Sequence, residues 1–190
     1  MVNQDPQPEI FETVHTFDYT GGDIAPNTMR SVDVFTYQAN NEEFRLYAIK
    51  VEILGTVDYA GTATPNVELS CCNILGADTG GATTIADMTF SPQNTGANSF
   101  GGMDFNIGIR VGGQLVPSTT FDASSIFCKD DKTLAFACPV IVLFKQPFQI
   151  EVSNATQLTQ RPAGPPDLRP YGNRTVKVTL IGEIGIQKQY

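Results

Sequence analysis

Tryptophan is absent from the 190 residues and histidine occurs once, as His15. Nucleophilic catalysis sets a base against Ser, Cys or Thr, and one imidazole leaves little room for it. His15 alternates with Thr13 and Phe17, so it reads as a packed strand residue. The four cysteines, Cys71, Cys72, Cys128 and Cys138, form no C-x-x-C pair, and no structural zinc site is expected. They read as free buried thiols in a reducing compartment; a Cys72–Cys138 or Cys71–Cys128 bridge is the alternative in an oxidising one. No G-x-S-x-G elbow, phosphate-cradling glycine loop or H-E-x-x-H motif is present. Catalytic residues, metal ligands and cofactors are accordingly none.

Charge is also scarce. Only 17% of residues are charged, and the formal net charge is −8. Carboxylates repel nucleic-acid phosphate, so no direct nucleic-acid binding is expected. No run reaches the roughly 18 apolar residues of a membrane span. The N-terminus has neither a basic start nor an apolar stretch, so no secretory signal is expected there. The charge is unevenly spread: residues 1–144 carry 17 of the acidic and 6 of the basic side chains, and residues 145–190 carry 3 and 6. The bland reading is chance; the sharper one is complementarity between an acidic body and a basic C-terminal loop of a neighbouring copy.

What the chain does have is alternation. Residues 103–111, 148–153 and 176–184 alternate apolar and mostly polar side chains with period two, which buries one strand face and wets the other. Further strands are predicted over 9–19, 29–37, 43–57, 66–75, 120–128, 134–144 and 174–187. In 43–57, Phe44 and Leu46 share one phase while Ile49, Val51 and Ile53 share the other, so a bulge is predicted near Tyr47-Ala48. Gly112-Gly113 predicts a hairpin. The nearly all-apolar 134–144 reads as a strand buried on both faces, with Pro139 marking an edge or a break. The resulting fold class is all-β, an antiparallel two-sheet β-sandwich of jelly-roll type with about eight or nine strands. An immunoglobulin-like sandwich is the runner-up and lacks the core Trp.

The organisation is an N-terminal arm, 1–8, and a single domain, 9–190, carrying long Gly/Pro-rich loops at 76–102 and 157–173. The second loop is stiff with proline, so docking it costs little further entropy. Its interface candidates are Arg161, Pro162, Pro165, Pro166, Arg169 and Tyr171; the alternative is an ordinary rigid surface loop. Three strand carboxylates, Glu52, Glu68 and Glu151, are the candidates for glycoside chemistry, although nothing pairs them. Asp18 with Asp23, and Asp130-Asp131, read as solvated turn carboxylates sooner than as a calcium site. Asn154-Ala155-Thr156 and Asn173-Arg174-Thr175 are glycosylation tripeptides only in a secreted eukaryotic context.

The strand order over 9–187, the QPFQIEVSN strand with its Pro-rich excursion and the closing VKVTLIGEIG strand resemble the small jelly-roll coat and cement (decoration) proteins of viruses and bacteriophages. That resemblance implies a non-enzymatic structural protein of the virion, assembled in the host cytoplasm as a homo-oligomer. Its partners would be other copies of itself and other capsid proteins. The alternative function is a non-catalytic binding module, an adhesin or a receptor- or glycan-binding β-sandwich of a phage fibre or cell surface.

Overall fold

The computed structural model describes residues 7–18, 24–35, 42–59, 62–68, 105–127, 129–143, 146–155 and 167–186. These form two antiparallel sheets. The first has the order β1 (Gln7–Phe17), β10 (Asp167–Ile186), β3 (Glu42–Tyr59), β4 (Thr62–Glu68), with β8 (Thr133–Leu143) also on β3. The far edge of β3 is divided: β8 pairs with Glu43 to Lys50, and β4 with Leu54 to Tyr59. The second sheet has the order β2 (Met29–Phe35), β9 (Phe148–Asn154), β5 (Phe105–Val111), β6 (Gln114–Leu115), with β7 (Phe121–Asp122) also on β5. The expected all-β sandwich is therefore observed.

Period two accounts for the layering. Phe148, Ile150 and Val152 of β9, and Phe105, Ile107 and Ile109 of β5, point inward from the second sheet. They meet Val176, Val178 and Leu180 of β10 and the inward residues of β3 from the first. Phe44 joins the layers, with its ring 5.3 Å from Phe11 and 5.9 Å from Phe148. Each fully buried aliphatic or Phe side chain stabilises by roughly 1.5–3 kcal/mol, against about 0–1 kcal/mol for an exposed ion pair, so this core dominates.

The predicted bulge lies at Tyr47. Ile181 of β10 pairs with Ala48 and Gly182 with Leu46, so Tyr47 has no opposite number on β10. Before it, Phe44 and Leu46 are buried; after it, Ile49, Val51 and Ile53 are. Opposite the bulge on the other side, pairing to β8 jumps from Val140 to Ala135, so Phe136–Pro139 loop out. Pro139, with no N–H to donate, falls in that gap. The Gly112-Gly113 hairpin is also present, with φ of 59° and 83°, the positive pair that a two-residue turn of this kind demands.

Four expectations need correction. Strand β8 is not buried on both faces: Val140 and Val142 face the core, Ile141 alternates onto the outer face, and Ala135, Ala137 and Cys138 are exposed at or within the excursion 136–139. Residues 120–128 are not one strand. After two residues of β7 the chain forms a short helix, α1 (Ala123–Phe127), whose Ala123, Ile126 and Phe127 are buried at helical spacing. The loop expected over 157–173 gives way to strand at Asp167, where β10 pairs irregularly with β3 through Asp167–Asp58 and Tyr171–Thr56. Gln7 and Pro8, assigned to the arm, already pair with Ile184 and Glu183. Residues 69–104 lie outside the described part, and with them the 76–102 loop.

Gly182 tests the bulge. A Cβ there would lie 2.5 Å from two ring carbons of Phe44 and closer still to the Arg45 carbonyl oxygen. Neither can retreat, one being backbone and the other a core ring. Gly182→Ala is expected to destabilise the fold by about 2–3 kcal/mol, read as a lower urea midpoint with an unchanged m-value. A midpoint equal to that of the unaltered chain would refute the close approach.

Candidate functional site

The outer face of the first sheet carries the densest organised chemistry among the described residues. Alternation places Glu12 of β1, Lys177 of β10, and Lys50 and Glu52 of β3 on it. Lys177 Nζ lies 3.0 Å from Glu12 and 3.5 Å from Glu52, and Lys50 Nζ donates to Glu52 at 2.7 Å. The hydrogen bond from Lys50, with the positive charge of Lys177 behind it, holds the Glu52 carboxyl below its ordinary pKa. The Lys177 ammonium is raised by its bond to Glu12. A second cluster lies nearer the other end of the face. Arg45 bonds Glu43 through two nitrogens and reaches Glu183 at 3.4 Å. The Tyr47 hydroxyl donates to Glu183 at 2.5 Å, and that bond raises the phenol. The Arg45 guanidinium is raised by its bond to Glu43. The bulge thus turns an inward position into an outward anchor for Glu183.

Between the clusters runs an apolar row. Ile10 pairs with Ile181, Ile181 with Ala48, and Ala48 with Ala135. Ile10 is 67% exposed, and the neighbouring Ile141 and Tyr47 are 49% and 38% exposed. A polar face with an apolar row through it is the composition of a contact surface with a dry centre and a charged rim.

A different polar group joins the two sheets at their β1 and β2 edges. His15, 1% exposed, donates from Nδ1 to the Arg30 carbonyl at 3.1 Å, since that oxygen can only accept. Its Nε2 then accepts from the Thr13 hydroxyl at 3.0 Å. Arg30 in turn donates from Nε to the Thr16 carbonyl at 3.3 Å and lies over the Phe17 ring. The buried Arg174 pairs with Phe17 on the same inward face. Burial lowers the His15 pKa, partly opposed by the bond to Arg30. The imidazole is a hydrogen-bonded part of the core, not an exposed base.

The remaining sequence candidates do not converge. Glu52 and Glu151 lie on opposite outer faces of the sandwich, and Glu151 is paired with Arg110 at 2.7 Å. Glu68 of β4 pairs with Leu54, two residues along β3 from Glu52, while Glu151 belongs to the other sheet. Asp131 accepts the Thr133 N–H at 3.1 Å, closing a turn, and Asp23 lies outside the described residues. Asn154 is fully buried and donates to the Ala25 carbonyl at 2.8 Å, so the first glycosylation tripeptide presents no accessible amide. Cys138 is free and exposed, not buried as expected, because it belongs to the looped-out part of β8. Cys71, Cys72 and Cys128 fall outside the described residues. So do Arg161, Pro162, Pro165 and Pro166, while Arg169 and Tyr171 lie on the first residues of β10. Among the described residues no group of three or more His, Cys, Asp or Glu could hold a metal, and no helix is long and apolar enough to cross a membrane.

Sequence reasoning missed the apolar row and the Arg45–Glu183–Tyr47 cluster. Both depend on the register between β1, β10, β3 and β8, which no local pattern states. The alternation around Ile10 and Ile181 does show that each lies opposite in phase to the core residues beside it.

His15 makes stability depend on pH in a defined direction. The unfolded imidazole takes its proton near 6.5, the folded one only at lower pH. Its contribution is therefore complete above 6.5 and is lost as pH falls from there through the folded pKa. Protonation would also forfeit the hydrogen bond that Nε2 accepts from Thr13. The midpoint of urea unfolding should fall between pH 7.5 and pH 5 in the unaltered chain and fall less in His15→Gln. Parallel pH profiles for the two would contradict this.

The chain matches no protein-family model and no curated protein.

Proposed function

We propose that the chain is a jelly-roll subunit of a viral shell, a capsid or capsid-stabilising protein that works by packing against copies of itself. The observation that carries this reading is the nesting of strand pairs. Among the described strands the first pairs with the last (β1–β10), the second with the second-last (β2–β9), and the third with the third-last (β3–β8). Innermost, β5 pairs with β6 and β7. A long hairpin rolled onto itself into two sheets pairs its strands in this order, with β4 as an added flap on β3. Jelly rolls serve as viral shell units and as lectins, so the fold alone does not choose between them. The outer face of the first sheet supports the shell: its charges are already paired and its centre is apolar, which suits a flat protein partner better than a sugar.

On this reading the sandwich is a rigid block, and its site of action is a virion. Arg161, Pro162, Pro165, Pro166, Arg169 and Tyr171 remain candidates for contact with neighbouring copies or other capsid proteins.

The expected outcome for the purified chain is concentration-dependent association by light scattering, with rings or closed particles by electron microscopy. A monomer at about 100 μM, where a contact of about −5.5 kcal/mol would be half occupied, would overturn the shell reading. Specific hits on a glycan array with that monomer would establish a binding module in its place.

A further inference from the structure

We infer that the outer face of the first sheet is a self-complementary contact, through which two copies pack face to face about a two-fold axis running along the strands between β10 and β3. The inference rests on the self-assembling reading and names the surface it would use.

The register defines four rows across this face. One holds Pro8, Glu183, Arg45 and Ile141; the next holds Ile10, Ile181, Ala48 and Ala135. A third holds Glu12, Thr179, Lys50 and Thr133, and the fourth Val14, Lys177 and Glu52. Rotation about the proposed axis keeps each row in place and exchanges β10 with the partner's β3, and β1 with the partner's β8. Glu183 then faces Arg45 of the second copy, and Lys177 faces its Glu52, each pair occurring twice. In the apolar row Ile181 faces Ala48, and Ile10 faces Ala135, so large side chains meet small ones.

Other placements fail on the same residues. An axis along β10 sets Glu183 against Glu183 and Lys177 against Lys177. An axis along β3 does the same with Arg45 and Glu52. An axis across the strands opposes unlike charges, Glu183 with Lys177, but stacks the row holding Ile10 and Ile181 on the row holding Glu12, Thr179 and Lys50. Like-charge and apolar-on-charge juxtapositions each cost several-fold in affinity or more, so the pattern itself selects the axis. The four rows and four strands span roughly 15–20 Å in each direction, below the ~800 Å² per partner of a standard interface. The contact is therefore weak on its own, as suits a unit held in place by several neighbours.

Charge reversal in separate chains tests this. Glu183→Arg alone and Arg45→Glu alone each oppose like charges across the axis and should weaken association about tenfold or more by sedimentation equilibrium. An equimolar mixture of the two variants should recover association to within about threefold of the unaltered chain, because a mixed pair matches every charge. Purely intramolecular roles for Arg45 and Glu183 cannot produce that recovery. Lys177→Glu with Glu52→Lys provides a second, independent pair should either first variant fold poorly. If the unaltered chain associates and neither mixture recovers, the face is wrong while self-assembly stands. Recovery from Glu183→Arg mixed with Lys177→Glu instead would overturn the axis. If the unaltered chain never associates, the self-assembling reading falls and this contact with it.

Discussion

One extra residue in β3, an inner ribbon of the first sheet, governs its arrangement. Strand β3 must bury Phe44 and Leu46 at one end and Ile49, Val51 and Ile53 at the other, and an unbroken strand of period two cannot do both. Tyr47 absorbs the slip. The consequences spread to both neighbours. On β10 the slip falls opposite Gly182, where no side chain larger than hydrogen fits beside the Phe44 ring. On β8 it is met by the excursion Phe136–Pro139, which leaves Ala135, Cys138 and Ile141 on the outside. The bulge also turns Tyr47 outward, where its hydroxyl meets Glu183. Core packing, strand pairing and surface chemistry are thus tied to one insertion.

The polar parts of the structure divide by location. Inside, His15, Thr13 and the Arg30 backbone form a satisfied chain linking β1 to β2, the strands at the open side of the sandwich. An unsatisfied imidazole there would cost about 1–3 kcal/mol, so closure of that side depends on the hydrogen bonds as well as on the neighbouring Phe17–Phe105 contact. Outside, the ion pairs of the first sheet are partly exposed and contribute little to folding. Their arrangement has another physical effect: it fixes which surface can approach without opposing like charges.

Much of the fold was legible because its signals are local. Alternation in 148–153 and 176–184 reports one buried face directly, and the phase break between Leu46 and Ile49 reports the bulge. Gly112-Gly113 reports its own turn. Where the reading failed, a non-local term decided. The apolar run 134–144 looks buried on both faces, yet face burial depends on what packs over the sheet, and among the described residues of this run only Val140 and Val142 are buried. Ala123, Ile126 and Phe127 carry a one-turn helical spacing too short to stand out from a strand. Prolines before Asp167 and at Pro170 suggested a loop, yet the backbone of 167–173 runs beside β3 with irregular register. The contact face was the least legible of all, since Ile10, Ile181, Ala48 and Ala135 come from four strands spread across the whole chain.

A two-fold contact has a built-in limit that bears on the proposed role. An isologous face is used up once two copies meet, so by itself it yields pairs and nothing larger. A shell needs at least one further contact that does not close on itself at the dimer. Among the described residues the outer face of the second sheet carries no comparable apolar row: across β2, β9 and β5 it offers Asp33 bonded to Gln149, Arg110 paired with Glu151 beside Gly108, and a single exposed Met29. The far end of β10 is the more suitable place. Arg169 and Tyr171 lie there, at the opposite end of the strand from Glu183, against the C-terminal half of β3. For a shell, a contact at that end would have to meet a different surface of the next copy in order to propagate around a ring. On the shell reading, the paired face and the end of β10 then divide the work, one joining copies in pairs and the other joining pairs into a closed layer.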